Sequence, residues 1–333
     1  MNIANSPDNP FLFVHVPKTA GSSFRVALEN YFGSDAVYYD YGQDSAVTHP
    51  KIVEYTYQKH DRYLIKKDLF NTIKLLSGHF PYHKYGPLFR PRDIITFIRK
   101  PDQQIKSHFE HYVRHHNYKK DFISFIKEKR FINLQSRNLR GIPLEAYGFI
   151  GITEFYNDSV DLFNQYYNLN IENLSLNRNE DRTSLFYDIK ENELELIHKL
   201  NEDDFRLYER ALKQFNQHKD CIKNEKSFLR FGLSKLPPRQ AKLRISGWLT
   251  CYESDQAQKI TISVNGKKQK SVNCSTYVSL GQERNLNRNG FIGFTFEYPK
   301  NIADDDIVEI FSESNNDLLY SNAVSDVYKD FQN

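Results

Sequence analysis

Three short stretches of this sequence hold residue types that can act together on an anion. The first is HVPKTAGSS, residues 15–23. An apolar run stops at Pro17, and small residues around Gly21 open a helical pattern, so backbone N–H groups and a helix N-terminus converge on one spot where anions bind. Pro17, Lys18, Thr19, Ala20, Gly21, Ser22 and Ser23 form the candidate loop. Lys18 adds a point charge, and Thr19, Ser22 and Ser23 offer hydroxyl donors, which makes the loop a phosphate cradle. Its lysine precedes the glycine, the reverse of the GxxxxGK[ST] order, and that disfavours a nucleoside triphosphate site.

The second stretch is IRKPDQQIKSHFEHY, residues 98–112. Arg99 falls at a strand end, Pro101 suits the first turn of a helix, and Ser107 comes about one and a half turns later. A planar guanidinium fork and a hydroxyl in that arrangement can reach one phosphate. The third is SGHF, residues 77–80, which ends another apolar run. An imidazole, with an ordinary pKa of about 6.5, suits a general base at neutral pH, and His79 is the candidate, with His83 a weaker competitor.

The elements that must position these residues read as alternating strands and helices. Apolar runs at 11–16, 73–80, 93–101 and 147–152 are each followed by helical spacing or a loop, notably from Phe24, over Asp102 to His115, and through TEFYNDSVDLFNQYY. Such alternation predicts a parallel sheet covered on both faces, with ligands beyond the carboxyl ends of its strands. His79, Lys18 and Arg99 are then expected in one crevice. A charged periodic stretch over 190–231 predicts two surface helices.

The loop PKTAGSS after a strand resembles the 5′-phosphosulfate loop of the PAPS-dependent sulfotransferases, especially the branch that contains heparan sulfate 2-O-sulfotransferase and bacterial relatives. The 98–112 stretch is similar to that family's 3′-phosphate motif, and SGHF to the strand end that supplies its proposed catalytic histidine. The resemblance covers roughly residues 10–215 and implies a P-loop-like α/β sulfotransferase fold. It also implies PAPS (3′-phosphoadenosine 5′-phosphosulfate) as co-substrate, adenosine 3′,5′-bisphosphate as product, no metal, and a hydroxyl acceptor of the glycan type. Lys18 would then stabilise the leaving phosphate and His79 would act as base. NLQSRNLRG, 133–141, resembles a segment beside the acceptor cleft, making Gln135 and Arg137 substrate contacts, with His83 and Arg140 beside them. LNRNEDRTS, 176–184, falls where relatives close a loop over the nucleotide, so Arg182 joins the cofactor set. A binding protein that keeps the anion cleft for a sulfated or phosphorylated glycan, without catalysis, is the alternative.

Composition sets the outer bounds. At 333 residues the chain suits one large domain and one small one. The boundaries read as 1–235 for the anion-binding domain and 240–330 for an all-β sandwich, separated at SKLPPRQ, where Pro237 and Pro238 mark a linker. Beyond it, apolar and polar residues alternate, and Asn265-Gly266 is a hairpin signal. Trp248, Tyr252, Tyr277 and Tyr298 there suit a core more than a sugar-stacking surface. A net charge of +3 is too small for a general nucleic-acid binder. The polar N-terminus and the lack of any apolar run of 18 or more residues predict no membrane span and point to the cytoplasm. Cys221, Cys251 and Cys274 fit no zinc spacing and read as reduced thiols, with a Cys251–Cys274 bridge left open. His108, His111 and His115 share a helix face without acidic partners, which favours a basic face over a metal site. The oligomeric state is not legible.

Overall fold

The structure, a computed structural model, describes residues 9–174, 186–280 and 286–329. The chain divides into two compact units between Asp220 and Cys221.

The first unit is built on a five-stranded, wholly parallel sheet. Its strands are β1 (Phe11–Val14), β2 (Val37–Asp40), β3 (Leu75–Gly78), β4 (Ile94–Ile98) and β5 (Phe149–Ile152), in the order β2-β3-β1-β4-β5. All residues of β1, β3, β4 and β5 are buried, as an unbroken apolar run does when both sheet faces are covered. The covering helices include α1 (Gly21–Phe32), α2 (Pro101–His115) and α3 (Tyr156–Tyr167). Phe24 of α1 seals the core against Phe97 of β4 and Phe163 of α3, with ring centroids 4.7 and 5.1 Å away. Two charged helices follow, α4 (Glu191–Leu200) and α5 (Glu202–Lys223). Ile197 of α4 packs with Ile105, Phe122, Phe125 and Phe131 in a satellite core beside α2.

The strand order matters for the site. The chain leaves β1, builds β2 and β3 on one side, then crosses to β4 and β5 on the other, and crevices for ligands form beyond the carboxyl ends at such crossovers. Register aligns those ends closely: Asp40 pairs with Gly78, Gly78 with Val14, and Val14 with Thr96.

The second unit holds two four-stranded antiparallel sheets, β10-β11-β7-β6 and β13-β12-β8-β9. The strands are β6 (Leu229–Leu233), β7 (Arg244–Cys251), β8 (Lys259–Val264), β9 (Lys267–Asn273), β10 (Thr276–Tyr277), β11 (Phe291–Glu297), β12 (Ile307–Ser312) and β13 (Leu318–Ala323). One core takes Ile245, Leu249, Phe294 and Phe296 from the first sheet and Ile260, Ile262, Val308 and Ile310 from the second. Strand β6 precedes the Pro237-Pro238 linker yet pairs with β7, so 229–233 belongs to this unit and is not part of a surface helix. The Asn265-Gly266 turn joins β8 to β9 with both residues at positive φ, 49° and 72°. Trp248, Tyr252 and Tyr298 are buried, whereas Tyr277 stays on the surface against Phe291. All three cysteines are free thiols, so Cys251 and Cys274 are not bridged. Among the described residues no helix is long and apolar enough to cross a membrane.

One polar knot in the first unit secures the chain around the site. Asp40, at the end of β2, is almost wholly buried and accepts hydrogen bonds from Lys84 (2.6 Å), Tyr57 (2.7 Å), Tyr85 (2.7 Å) and the Gly42 backbone (3.0 Å). Burial alone would raise its pKa, but these donors together outweigh burial and hold the carboxyl below its ordinary value. A depressed carboxyl pKa contributes stability that is present above about pH 4 and fades as the pH falls below it. Asp40→Asn leaves the Lys84 ammonium without its counter-charge, and a broken buried pair costs about 3 kcal/mol or more. Urea unfolding at pH 7 is expected to show that loss; a change below about 1 kcal/mol would contradict the role given to this knot.

Candidate functional site

The loop after β1 has the conformation of an anion cradle. Lys18 and Ala20 both lie in the left-handed region, at φ 68° and 63°, which costs energy for residues with a Cβ and curls the intervening backbone tightly. Helix α1 opens directly behind, with Ala20 at its N-cap and no side-chain hydrogen bond from that cap. Gly21 is required here because a Cβ would run into the His15 imidazole. Two bonds hold the curl closed: Thr19 Oγ1 donates to the Val16 carbonyl (2.9 Å), and Gln104 Nε2 of α2 donates to the Pro17 carbonyl (2.9 Å). The Thr19 side chain is fully buried in that bond and shapes the loop from within, whereas Ser22 is exposed and Ser23 buried.

Arg99, just past β4, reaches across to this loop and donates from Nη1 to the Lys18 carbonyl at 3.2 Å. Its own position is fixed from behind. The Arg99 N–H donates to Gln135 Oε1 (3.0 Å) and Gln135 Nε2 donates to the Arg99 carbonyl (2.8 Å). Gln135 is held in turn by buried Asp204 of α5, whose carboxylate accepts from the N–H groups of Gln135 (3.0 Å) and Ser136 (2.7 Å). Glu154 accepts from the Lys100 N–H at 3.0 Å and lies 4.0 Å from Arg99 Nε. Burial pushes the pKa of both Asp204 and Glu154 upward, against the hydrogen bonds they accept. Neither carboxylate was singled out by sequence reasoning; each is distant in the chain from the arginine it supports, and only the packing of α5 and the loop after β5 brings them there.

His79 follows β3, directly between the ends of β1 and β2. Its ring meets that of His15 with centroids 4.5 Å apart and that of Tyr41 at 4.8 Å. His15 is buried, stacked on Phe13 at 5.4 Å, and shares a 3.1 Å hydrogen bond between Nδ1 and the Tyr41 hydroxyl. Crowding by protein, then the cations Arg25 and Lys18 and the neighbouring His111, lowers the pKa of His79 to about 4. Its surface remains open to solvent, so water limits the field acting on it; the enclosed His15 is driven down mainly by burial, then by His79, Arg25 and Lys18. Lys18 is also lowered, by burial first and then by Arg114 and Arg99, with Glu110 opposing. Lys18 and Arg25 thus face two neutral imidazoles, with Arg99 and Arg114 acting in turn on Lys18, and an anion entering this crevice would relieve the repulsion among these cations.

The remaining expected residues separate into two groups. Ser107 lies three residues past Gln104 on α2, the helix face that meets the Pro17 loop, with its side chain buried. Gln135 is fully buried and spends both its amide groups on Arg99, which makes it a support for the arginine and not a surface contact for substrate. Arg137 binds the carbonyls of Lys129 (2.7 Å), Ile132 and Arg130 (both 3.2 Å), closing the turn before its own helix. His83 is exposed on the turn Tyr82–Lys84. Arg182 lies outside the described residues. Among the described residues no group of three or more His, Cys, Asp or Glu side chains could hold a metal ion; His108 is instead packed against Phe131 at 4.9 Å, and its pKa falls to about 3, chiefly through burial. In the second unit a polar depression of about 520 Å³ lies over β8, β9 and β12, but its Glu313 already bonds Lys259 and Thr261, both at 2.9 Å.

Compared with known proteins, the chain matches no family model and no curated relative. The geometry of the crevice therefore carries the functional reading.

The electrostatics yield a test. His15 and His79 have folded pKa values below their unfolded value of about 6.5, so as the pH drops from 7 toward 4 the unfolded chain binds protons the folded chain refuses. Stability is expected to fall over that window. In an NMR titration the His79 ring protons should shift with a midpoint clearly below about 6.5; a midpoint close to 6.5 or above would contradict this crowding.

Proposed function

We propose that this chain transfers a sulfuryl group from PAPS to an acceptor hydroxyl, with a carbohydrate as the acceptor class. The observation that carries the reading is the junction of the Lys18 loop with Arg99, bonded at 3.2 Å, beside an accessible imidazole on the adjoining strand end. A donor with two phosphate positions needs two anion sites a nucleoside apart. The uncapped start of α1 with Lys18 suits the 5′-phosphosulfate, and Arg99 with the α2 face around Ser107 suits the 3′-phosphate. The lysine-before-glycine order of 18–21 favours such a donor over ATP or GTP.

The chemistry balances without a further reactant. The acceptor oxygen attacks sulfur, and the new O–S bond forms as the bond from sulfur to the bridging phosphate oxygen breaks. The electron pair leaves on adenosine 3′,5′-bisphosphate, where Lys18 and the first-turn N–H groups offset the charge that builds on the leaving oxygen. The proton of the acceptor hydroxyl passes to His79, which is neutral at pH 7 and therefore able to receive it. Its low basicity in the free protein rises once the donor's negative charge offsets Lys18 and Arg25.

Incubation with sulfur-labelled PAPS and a panel of polysaccharides tests the proposal, with label expected on at least one acceptor. His79→Ala is expected to lower kcat by about 10² to 10⁴, the usual worth of a general base, with little change in donor KM. Lys18→Ala and Arg99→Ala should raise donor KM as well. No label on any acceptor together with no calorimetric binding of adenosine 3′,5′-bisphosphate would favour a non-catalytic glycan-binding protein and sink the transferase reading. Wild-type turnover in His79→Ala would remove the assignment of the base.

A further inference from the structure

Two residues outside the three sequence stretches' candidate set stand beside the proposed base. Because Asp40, Gly78 and Val14 are paired across β2, β3 and β1, the next residue on each strand falls in one row: Tyr41, His79, His15. The row is tight. His79 in the middle meets the His15 ring edge-on at 4.5 Å, inclined 68°, and the Tyr41 ring at 4.8 Å, inclined 70°. The two outer residues are bonded to each other, His15 Nδ1 to the Tyr41 hydroxyl at 3.1 Å. Arg25 of α1 lies over Tyr41 at 5.6 Å and over Tyr39 at 4.6 Å, and backs the row from the helix side. His15 is itself confined between Phe13 and Gly21, where any larger residue at 21 would displace it.

We infer that His15 and Tyr41 are positioning residues which clamp the His79 imidazole from two sides, leaving its third side open to the crevice. The inference rests on the sulfuryl-transfer reading for its consequence in turnover, though the clamp itself does not depend on it. An accessible histidine at a strand end has free rotation about χ1 and χ2, and a base must hold its lone pair on the acceptor proton to be useful. Two perpendicular ring contacts restrict that rotation. The bond between His15 and Tyr41 keeps the clamp from opening, and it also satisfies a ring nitrogen that burial would otherwise leave unpaired. The charged and titratable groups facing His79 are Lys18 from the anion loop, Arg25 from α1, His108 and His111 from α2, Tyr41 after β2 and His15 after β1.

Tyr41→Phe removes the bond and keeps the ring; Tyr41→Leu removes both. With folding checked by circular dichroism, kcat is expected to fall about 10-fold in the first and about 100-fold in the second, within the span a general base contributes, with donor KM within about twofold of wild type. The acidic limb of the kcat/KM profile, which reports the free protein, should move to higher pH in Tyr41→Leu, since a loosened His79 gains water and its pKa climbs from about 4. A merely structural role for Tyr41 would leave that limb in place. Folded variants with kcat and pH profile unchanged would overturn the clamp. If the wild-type protein transfers no sulfuryl group, the transferase reading fails separately, and NMR titration of His79 still decides the clamp: a raised His79 pKa in Tyr41→Leu supports it, and an unchanged one overturns it.

Discussion

The 3.2 Å bond from Arg99 to the Lys18 carbonyl joins two loops that are 81 residues apart in the chain, and the site depends on that junction. It exists because β1 and β4 are neighbours in a parallel sheet whose carboxyl ends are in register. Parallel pairing forces every connection to return over a face of the sheet, so the carboxyl edge is left to loops alone. Those loops are then free to take conformations that a regular element would not allow, as the left-handed Lys18 and Ala20 do.

Concentrating cations at that edge has an energetic cost that the protein offsets nearby. Lys18, Arg25, Arg99 and Arg114 depress one another's neighbours, and the imidazoles respond by staying neutral. Behind the cations stand two acids: Asp204 binds the backbone N–H groups of Gln135 and Ser136, and Glu154 binds the Lys100 N–H while lying 4.0 Å from Arg99 Nε. On the far side Asp40 does pair with a cation head, accepting from Lys84 as well as from Tyr57 and Tyr85, and so fastens the loop that follows His79. An anionic ligand at that edge would offset the remaining positive charge of Lys18, Arg25, Arg99 and Arg114.

Much of this was legible in the sequence, for definite reasons. FLFV, LLSG, IITFI and FIGI are strongly apolar and short, and all four became strands of the parallel sheet. Pro101 marked the first turn of α2, where its missing N–H costs nothing. The edge strand β2 was not read, because VYYD has two tyrosines and a buried acid in place of an aliphatic run. Losing β2 meant losing Tyr41, Asp40 and the row in which His79 sits, since these follow only from register. Gln135 and Thr19 show the other limit. A polar side chain beside a candidate site reads as a ligand contact, yet both are buried and spent on backbone groups that shape the loops. In the second unit the alternation of apolar residues was clear enough to give two antiparallel sheets, while β6 was hidden by the helical spacing that precedes it.

We propose that the ends of β1, β3 and β4 together receive an adenosine carrying phosphate at both the 3′ and 5′ positions. Isothermal titration calorimetry with adenosine 3′,5′-bisphosphate, set beside adenosine 5′-monophosphate, measures this most directly. The account predicts a single saturable site that loses about tenfold in affinity or more, roughly 1.4 kcal/mol, when the 3′-phosphate is absent. Equal affinity for the two nucleotides, or no binding of either, would contradict it.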